Sequence, residues 1–310
     1  MDLITLKDTD IKISPLILGT WVFGGDSWSG ADDEECMRAI SSAIDLGINC
    51  IDTAPVYSWG DSERIVGKAL KGKRDKVVIA TKCGLRKGRG DEPIDHDLSP
   101  SQILNEIEGS LRRLKTDYID LYQCHSPDEK VACEDVMATL LKLKDQGKIR
   151  AIGVSNYSAK QVGECLESAP IVTCQDQYSL LDRKIEEELI PFTKEKGVGV
   201  LAYGVLAGGI LTGKYAKPRT FPGNDARNFF YHYYQGDAFD RVVALIERLQ
   251  VLGRPLSELS INWARQQPGI AGVIVGCRNV EQVERNVKAV SWDLDSNELK
   301  RINEELDREI

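Results

Sequence analysis

At 310 residues the chain has room for one large α/β barrel or for two ordinary domains. A formal net charge of −8 argues against a nucleic-acid partner, whose footprint would be basic, and leaves open only a local basic pocket for an anion. The N-terminus carries no charged-then-apolar leader pattern, and no apolar run nears the roughly 18 residues of a membrane span, so a cytoplasmic protein without membrane contact is expected. Eight cysteines (36, 50, 83, 124, 133, 165, 174, 277) lie scattered, several inside apolar runs, with no metal-ligand spacing; free buried thiols and no metal follow as the expectation.

The chain opens as a small hairpin: LITL, a DTD turn, then IKIS. A strand–helix rhythm follows. LILG (16–19) reads as a buried strand and 33–47 as an amphipathic helix closed by Gly47. INCID precedes a helix over 62–72. KVVIATK (76–82) precedes a helix over 99–115, with Ser99 as N-cap and Pro100 at the first helical position. DYIDLYQCH precedes a helix over 133–147, and IRAIGVS one over 158–168. IVTCQ precedes a helix over 184–197, with Pro191 as an irregularity. VGVLAY leads into a long loop (204–236), then helices over 237–253 and 257–267. GIAGVIVG is the last strand, and two further helices close the chain. Eight strands alternating with helices, with no composition shift that marks a linker, predict one closed (β/α)₈ barrel domain over 1–310, a TIM barrel with an N-terminal β-hairpin and extra C-terminal helices. A doubly wound sheet with a second domain is the competing fold.

Two phosphate-loop patterns fail on context. GVGVLA (197–202) fits a dinucleotide fingerprint but starts a strand instead of following one. GGILTGK (208–214) resembles a P-loop, yet Tyr215 stands where Ser or Thr should bind magnesium. A glycine-rich loop with a lysine can still hold a phosphate through backbone N–H groups and a point charge.

The strands end in polar groups: Gly19-Thr20-Trp21, Asp52 with Tyr57 beyond it, Lys82, His125, Ser155-Asn156, Gln175, Tyr203 and Gly276-Cys277-Arg278. In a βα barrel these ends share the face that carries active sites. Singly, each has a bland reading: Asp52 as a turn cap, Tyr57 as a loop aromatic, Lys82 as a solvated strand end, His125 as a structural histidine. Together they form a proton-handling set. A phenol with pKa about 10 is a sluggish acid near neutrality. The Lys82 ammonium can lower it, Asp52 can hold Lys82, and His125 can donate to a substrate carbonyl.

These stretches resemble the aldo-keto reductase family along nearly the whole chain. The likeness rests on LGTWVFGG (18–25), IDTAPVYSWGDSE (51–63), VVIATK (77–82), SLRRLKTDYIDLYQCHSPD (110–128), GKIRAIGVSNYS (147–158), QDQYSLLDR (175–183), LAYGVLAGGILTGKY (201–215) and VIVGCRNVEQVERN (273–286). It is nearest to the bacterial branch that also resembles potassium-channel β subunits. The resemblance implies the barrel, a catalytic tetrad at Asp52, Tyr57, Lys82 and His125, and NADPH/NADP+ as cofactor. It implies a cofactor site in which Ser155, Asn156 and Gln175 hold the carboxamide and Tyr203 stacks on the nicotinamide. It further assigns Gly204, Val205, Leu206, Ala207, Gly208 and Lys214 to the pyrophosphate, and Gly276, Cys277, Arg278, Gln282 and Asn286 to the adenosine phosphate. Gly19, Thr20, Trp21 and Asp52 complete the expected cofactor-contacting set, with Arg227 a further phosphate candidate.

Three departures stand out: Ser126 where the family often has an aromatic, Ser179 where many members have Asn, and Arg285 beside Asn286 where a Glu-Asn pair is usual. The expectation is NADPH-dependent reduction of an aldehyde or ketone, a sugar or other small carbonyl compound, by a monomer. Trp21, Phe23, Trp28 and Trp59 are candidates for the pocket wall. An NADPH-sensing protein of the channel β-subunit type and a lyase using Lys82 as a Schiff-base nucleophile are the alternatives.

Overall fold

A computed structural model describes residues 1–25, 28, 32–88, 94–223 and 225–308. Strands β1 (Ile4–Thr5) and β2 (Lys12–Ile13) form the expected antiparallel hairpin. Eight parallel strands then close a barrel in chain order: β3 (Leu16–Gly19), β4 (Cys50–Asp52), β5 (Val78–Cys83), β8 (Ile119–Cys124), β9 (Ile149–Ser155), β10 (Ile171–Gln177), β11 (Gly199–Tyr203) and β12 (Ile270–Gly276), which returns to β3. Between β5 and β8 lies a second hairpin, β6 (Leu85–Lys87) with β7 (Ile94–His96). The helices are α1 (Asp33–Asp45), α2 (Asp61–Ala69), α3 (Pro100–Leu114), α4 (Cys133–Asp145), α5 (Ala159–Ser168), α6 (Leu189–Lys196), α7 (Arg227–Phe230), α8 (Gly236–Gln250), α9 (Leu256–Arg265), α10 (Val280–Ala289) and α11 (Ser296–Leu306). None is long and apolar enough to cross a membrane.

The expected (β/α)₈ architecture is therefore the observed one. Its strands are buried on both faces, which is why they read as near-continuous apolar runs. The barrel interior is filled by Ile17, Cys50, Val78, Ala80, Leu121, Ala151 and Leu201, and Leu6, Ile11 and Ile13 of the first hairpin close its lower end. Side chains two residues apart on a strand share a face. Asp52 thus follows Cys50, Lys82 follows Ala80 and Gln123 follows Leu121 into the upper end of the interior. Caps set the helix starts: Asp32 accepts from Glu34 and Glu35 N–H before α1, Ser99 caps α3 with Pro100 behind it, and Ser158 makes a capping box with Gln161 before α5.

Four local expectations are corrected. The helix expected over 184–197 is split into a 3₁₀ turn (Lys184–Glu186) and α6, because Pro191 is tolerated only in the first turn, where its missing N–H has no intrahelical partner. The loop over 204–236 is not bare: it holds 3₁₀ turns at Ala207–Thr212 and His232–Tyr234, with α7 between. The β6–β7 hairpin was absent from the expected rhythm. Finally, the thiols are not all free. Cys133 and Cys165 form a disulfide between α4 and α5, whose packing brings their Cα atoms to 5.8 Å; Cys36, Cys50, Cys83, Cys124, Cys174 and Cys277 are free and buried. Gly197 caps α6 in the left-handed conformation, so GVGVLA spans a helix end and a strand start.

Candidate active site

The upper end of the barrel gathers Asp52, Tyr57, Lys82 and His125. Lys82 is 1% exposed and Asp52 3% exposed, so their charges are removed from water and depend on each other. Lys82 Nζ donates to Asp52 Oδ1 (2.7 Å), to the Thr53 carbonyl (3.1 Å) and to Tyr57 Oη (3.1 Å). An ammonium has three protons, and all three are used. Tyr57 reaches this point from a tight 3₁₀ turn, Tyr57–Gly60, in which Ser58 (φ 46°) and Trp59 (φ 51°) lie in the left-handed region. Ser58 Oγ ties the turn to the Phe23 carbonyl (2.8 Å). The His125 ring stands edge-on to Tyr57, with centroids 5.8 Å apart.

Electrostatics sharpen one expectation and correct another. Burial would lower the Lys82 pKa, but Asp52 and Tyr57 together raise it above its ordinary value, so the ammonium is fixed as a cation. Burial raises the Tyr57 pKa, and the nearby Lys82 charge only partly offsets that rise. The lysine therefore pulls in the expected direction while the net shift is upward, because desolvation of the phenolate is the larger effect. Burial first, then the Lys82 charge, push His125 well below its ordinary pKa, which makes it a neutral imidazole.

A second layer fixes the first. Asp52 Oδ2 accepts from Gln175 Nε2 (2.8 Å) and, at 3.5 Å, from Gln123 Nε2. Gln123 was missed by sequence reasoning. Its signal was a polar residue at the inward parity of Leu121, opposite in parity to the strand's other polar residue, Asp120. On the outer side of β5, Thr81 donates to Glu63 Oε1 (2.7 Å) and Arg113 pairs with Glu63 Oε2 (2.6 Å), which seats α2 and α3 against the strand that carries Lys82. Thr20 is spent on packing: its hydroxyl donates to the Asp52 carbonyl (2.9 Å) and accepts from Ser62 (2.7 Å). Gly19 abuts Ile274, where a Cβ would sit 2.8 Å from Cγ2.

Ser155, Asn156 and Tyr203 meet beside His125. Asn156 adopts φ 61°, donates to the His125 carbonyl (2.8 Å) and to Ser155 Oγ (3.1 Å), and accepts from Tyr203 Oη (2.8 Å). Of the aromatic wall candidates, Trp21 lies nearly parallel to Tyr57 (centroids 6.1 Å, 29°), edge-on to Trp28 (5.5 Å) and edge-on to Phe230 of α7 (5.2 Å). Phe230 is a rim residue that sequence reasoning did not single out. Phe23 is fully buried in the core and is no wall, whereas Trp59 is 39% exposed near Lys87.

The remaining expected cofactor residues form an arm beside this floor. Gly204 (φ 70°), Ala207 (φ 45°) and Gly208 (φ 67°) give the turn around Val205 and Leu206 a left-handed backbone. Tyr231 packs on it so closely that a Cβ on Gly208 would meet its ring at 2.7 Å. Lys214 lies by Tyr215 and close to Gly209. Gly276 ends β12. The Arg278 N–H donates to Gln282 Oε1 (2.8 Å), and Asn279 caps α10. Cys277 and Asn286 are buried against each other (Nδ2–Sγ 3.2 Å), and Arg285 is engaged with Glu281 (2.6 Å). Arg227 is not a solvated loop charge: it pairs with buried Asp225 through both carboxylate oxygens (2.7 and 2.5 Å).

The sequence matches the Aldo/keto reductase family over residues 15–307. This chain belongs to that family. An aldo-keto reductase of Bacillus subtilis, YhdN, is 40% identical across all of this chain and 95% of its own length. The NADH-specific methylglyoxal reductase of Escherichia coli is 37% identical across 99% of this chain and all of its own length. A probable potassium-channel β subunit of rice is 32% identical, covering 92% of this chain and 90% of itself, so the expected likeness to that branch is present. Among solved structures, the glycerol dehydrogenase of Gluconobacter oxydans superposes with a TM-score of 0.90 at 38% identity, over the whole of this chain and 96% of its own. This aldo-keto reductase is thus an oxidoreductase of a family that works with a nicotinamide cofactor.

Proposed function

We propose that this aldo-keto reductase reduces a small aldehyde or ketone to the alcohol with NADPH, using Tyr57 as the general acid. The observation that carries the reading is the buried contact from Asp52 through Lys82 to the Tyr57 hydroxyl. Tyr57 gives its proton to the carbonyl oxygen as negative charge develops there. Lys82, kept cationic by Asp52, stabilises the phenolate left behind. Neutral His125, edge-on to Tyr57, supplies a second hydrogen-bond donor to the same oxygen. In the oxidative direction the phenolate takes the alcohol proton. The Gln175 and Gln123 amides hold Asp52 so that this geometry exists before substrate arrives.

The chain's residues fit a nicotinamide dinucleotide. Gly204 and Gly208 have left-handed backbones that keep a glycine turn free of side chains beside β11, and hydroxyl and amide groups of Ser155, Asn156 and Gln175 suit a carboxamide. Tyr203 offers a ring, and Lys214 and Arg278 offer charge for phosphates, with the capped start of α10 adding favourable potential. When bound, the nicotinamide supplies the hydride. The names of the methylglyoxal-reducing and glycerol-oxidising relatives support a short, polar carbonyl substrate. A Schiff-base role for Lys82 is disfavoured because its raised pKa leaves little free amine to attack a carbonyl.

The test measures turnover on short aldehydes and ketones with NADPH and NADH, and both dissociation constants, for wild type and Arg278→Ala. Turnover separates a reductase from a sensor that only binds. A bidentate phosphate contact of about 1.5–3 kcal/mol corresponds to a roughly 10–150-fold loss of NADPH affinity in Arg278→Ala, with NADH little changed. Equal losses for both cofactors would remove Arg278 from the discriminating contact.

A further inference from the structure

The turn that aims Tyr57 carries backbone strain. Three residues in succession, Ser58 (φ 46°), Trp59 (φ 51°) and Gly60 (φ 96°), lie in the left-handed region. Only the glycine takes that conformation freely; a residue with a side chain stays there where its surroundings fix it. One end of the turn is held by the Ser58 bond to the Phe23 carbonyl (2.8 Å). The other end runs into α2 through Gly60, an N-cap without a side chain to accept a bond. There the Arg113 side chain of α3 lies across Gly60, so close that a Cβ would sit 2.7 Å from Arg113 Cδ. Arg113 Nε then donates to Glu63 Oε2 (2.6 Å) in the first turn of α2. Glu63 is fully buried, and its other oxygen accepts from Thr81 Oγ1 (2.7 Å), the residue before Lys82. Gly67 brings the same two helices together one turn further on, where a Cβ would meet the Arg113 carbonyl oxygen at 2.5 Å. One buried carboxylate thus bonds both to the strand that carries Lys82 and to the arginine that covers the end of the Tyr57 turn.

We propose that Glu63 and Arg113 are positioning residues for the reaction: they fix the Tyr57 turn and the Lys82 strand to each other and so set the 3.1 Å contact between Lys82 Nζ and Tyr57 Oη. The inference rests on Tyr57 as the acid and adds two residues that act through it and through Lys82. Thr81 and Lys82 are neighbours whose side chains point to opposite faces of β5. A bond made by Thr81 outside the barrel therefore fixes the height of the ammonium inside it. Arg113 holds the turn, with its stem on Gly60 and its charge directed to Glu63. Removing the charge of Glu63 weakens that hold, lets the strained turn relax, and moves the phenol away from the ammonium. Lys82 offsets part of the burial-driven rise in the Tyr57 pKa, so a looser contact shows as a higher Tyr57 pKa.

The experiment follows oxidation of a short alcohol against pH, well below each protein's Tm, for the full chain as wild type, Glu63→Gln, Arg113→Ala, Arg113→Lys, Asp120→Asn and Tyr57→Phe, with cofactor Kd measured on each. Glutamine still accepts from Thr81 and loses only the charge that faces Arg113. Glu63→Gln and Arg113→Ala should lower kcat roughly 10–100-fold, the scale of a small misplacement of reacting groups, with cofactor Kd within about threefold of wild type. The rising limb of the pH profile, which reports the phenolate, should move up by about 1 pH unit in both. Arg113→Lys keeps the stem over Gly60 and a cation toward Glu63, and should fall between Arg113→Ala and wild type in both readouts. Asp120 is the matched control, a carboxylate 1% exposed and held by Arg74 (2.7 Å) and Arg150 (2.5 Å) near the start of β8, at the opposite end of the barrel. Asp120→Asn should lower Tm and move neither kcat nor the limb. A Glu63→Gln enzyme with a lower Tm but the kcat and limb of wild type would overturn the inference. So would a lower kcat with an unshifted limb, or an equal limb shift in Asp120→Asn. If Glu63→Gln or Arg113→Ala does not fold, Arg113→Lys decides against wild type: a limb moved up supports the inference and an unmoved limb overturns it. If Tyr57→Phe turns over at a near-normal rate, the underlying reading of the acid fails. If Tyr57→Phe is inactive and Glu63→Gln leaves the limb in place, only the present inference fails.

Discussion

The floor of the barrel and the nucleotide arm around it are built on different principles. On the floor, Lys82 spends all three protons on Asp52, Thr53 and Tyr57, and Asp52 is held again by Gln175. Asp52, Lys82 and Gln175 sit towards strand ends, are buried, and are fixed by a closed hydrogen-bonded sheet. On the arm, arginines stack on rings, the Trp28 indole N–H has no partner among the described residues, and Phe229 and Phe230 lie substantially exposed on a four-residue helix. The difference reflects what each part must do. Charge development at a carbonyl oxygen is the same for every substrate, so its stabilisers can be preset. Ligand bodies differ in size and charge, and loops can be retuned for them without disturbing the chemistry.

Changes on the floor should then lower kcat, and changes on the arm should act mainly through binding. Lys82→Met is the strongest challenge to this division. It leaves the Asp52 carboxylate buried without its cation, a loss of about 3–5 kcal/mol that should appear as a lower Tm. kcat should fall by roughly 10²–10³-fold, with cofactor affinity nearly kept. The pH profile carries the sign. Lys82 offsets part of the burial-driven rise in the Tyr57 pKa, so its removal lets that pKa climb further. For alcohol oxidation, which needs the phenolate, the rising limb of activity should move to higher pH. An unshifted limb would take Lys82 out of contact with the acid.

Phe230→Ala should be milder and of the opposite kind. Phe230 meets Trp21 at the rim, and Trp21 lies along Tyr57. Loss of one apolar contact of about 1–3 kcal/mol predicts KM for a short carbonyl rising roughly 5–150-fold while kcat changes less than threefold. A collapse of kcat with unchanged KM would show that the arm helps to set the chemistry, and the comparison would fail.

How much of each region the sequence revealed follows the same line. The floor was legible because a buried parallel strand is a local pattern: an apolar run that stops at Asp52 or Lys82 states both the strand and its end. Gln123 was missed because it lies within the run, and only its inward parity with Leu121 distinguishes it. The direction of the Tyr57 shift was misread because adjacency to Lys82 can be inferred from strand order, whereas the depth of burial depends on the whole barrel mouth. On the arm, Asp225 and Arg227 pair only two residues apart, but the seat of Trp28 against Arg227 and Arg278 depends on how distant segments fold back, which no periodicity records. The Cys133–Cys165 bond was hidden for a similar reason, since it depends on how two separate helices meet.

The most direct measurement is turnover of Tyr57→Phe with a short aldehyde, with cofactor Kd determined on the same protein. The substitution retains the ring beside Trp21 and His125 and removes only the hydroxyl. The account predicts a kcat lower by roughly 10²–10⁴-fold, the range associated with a general acid, with cofactor Kd within about threefold of wild type. A Tyr57→Phe enzyme that turns over at near-normal rate would contradict it, and the proton donor would then have to be sought elsewhere on the barrel floor.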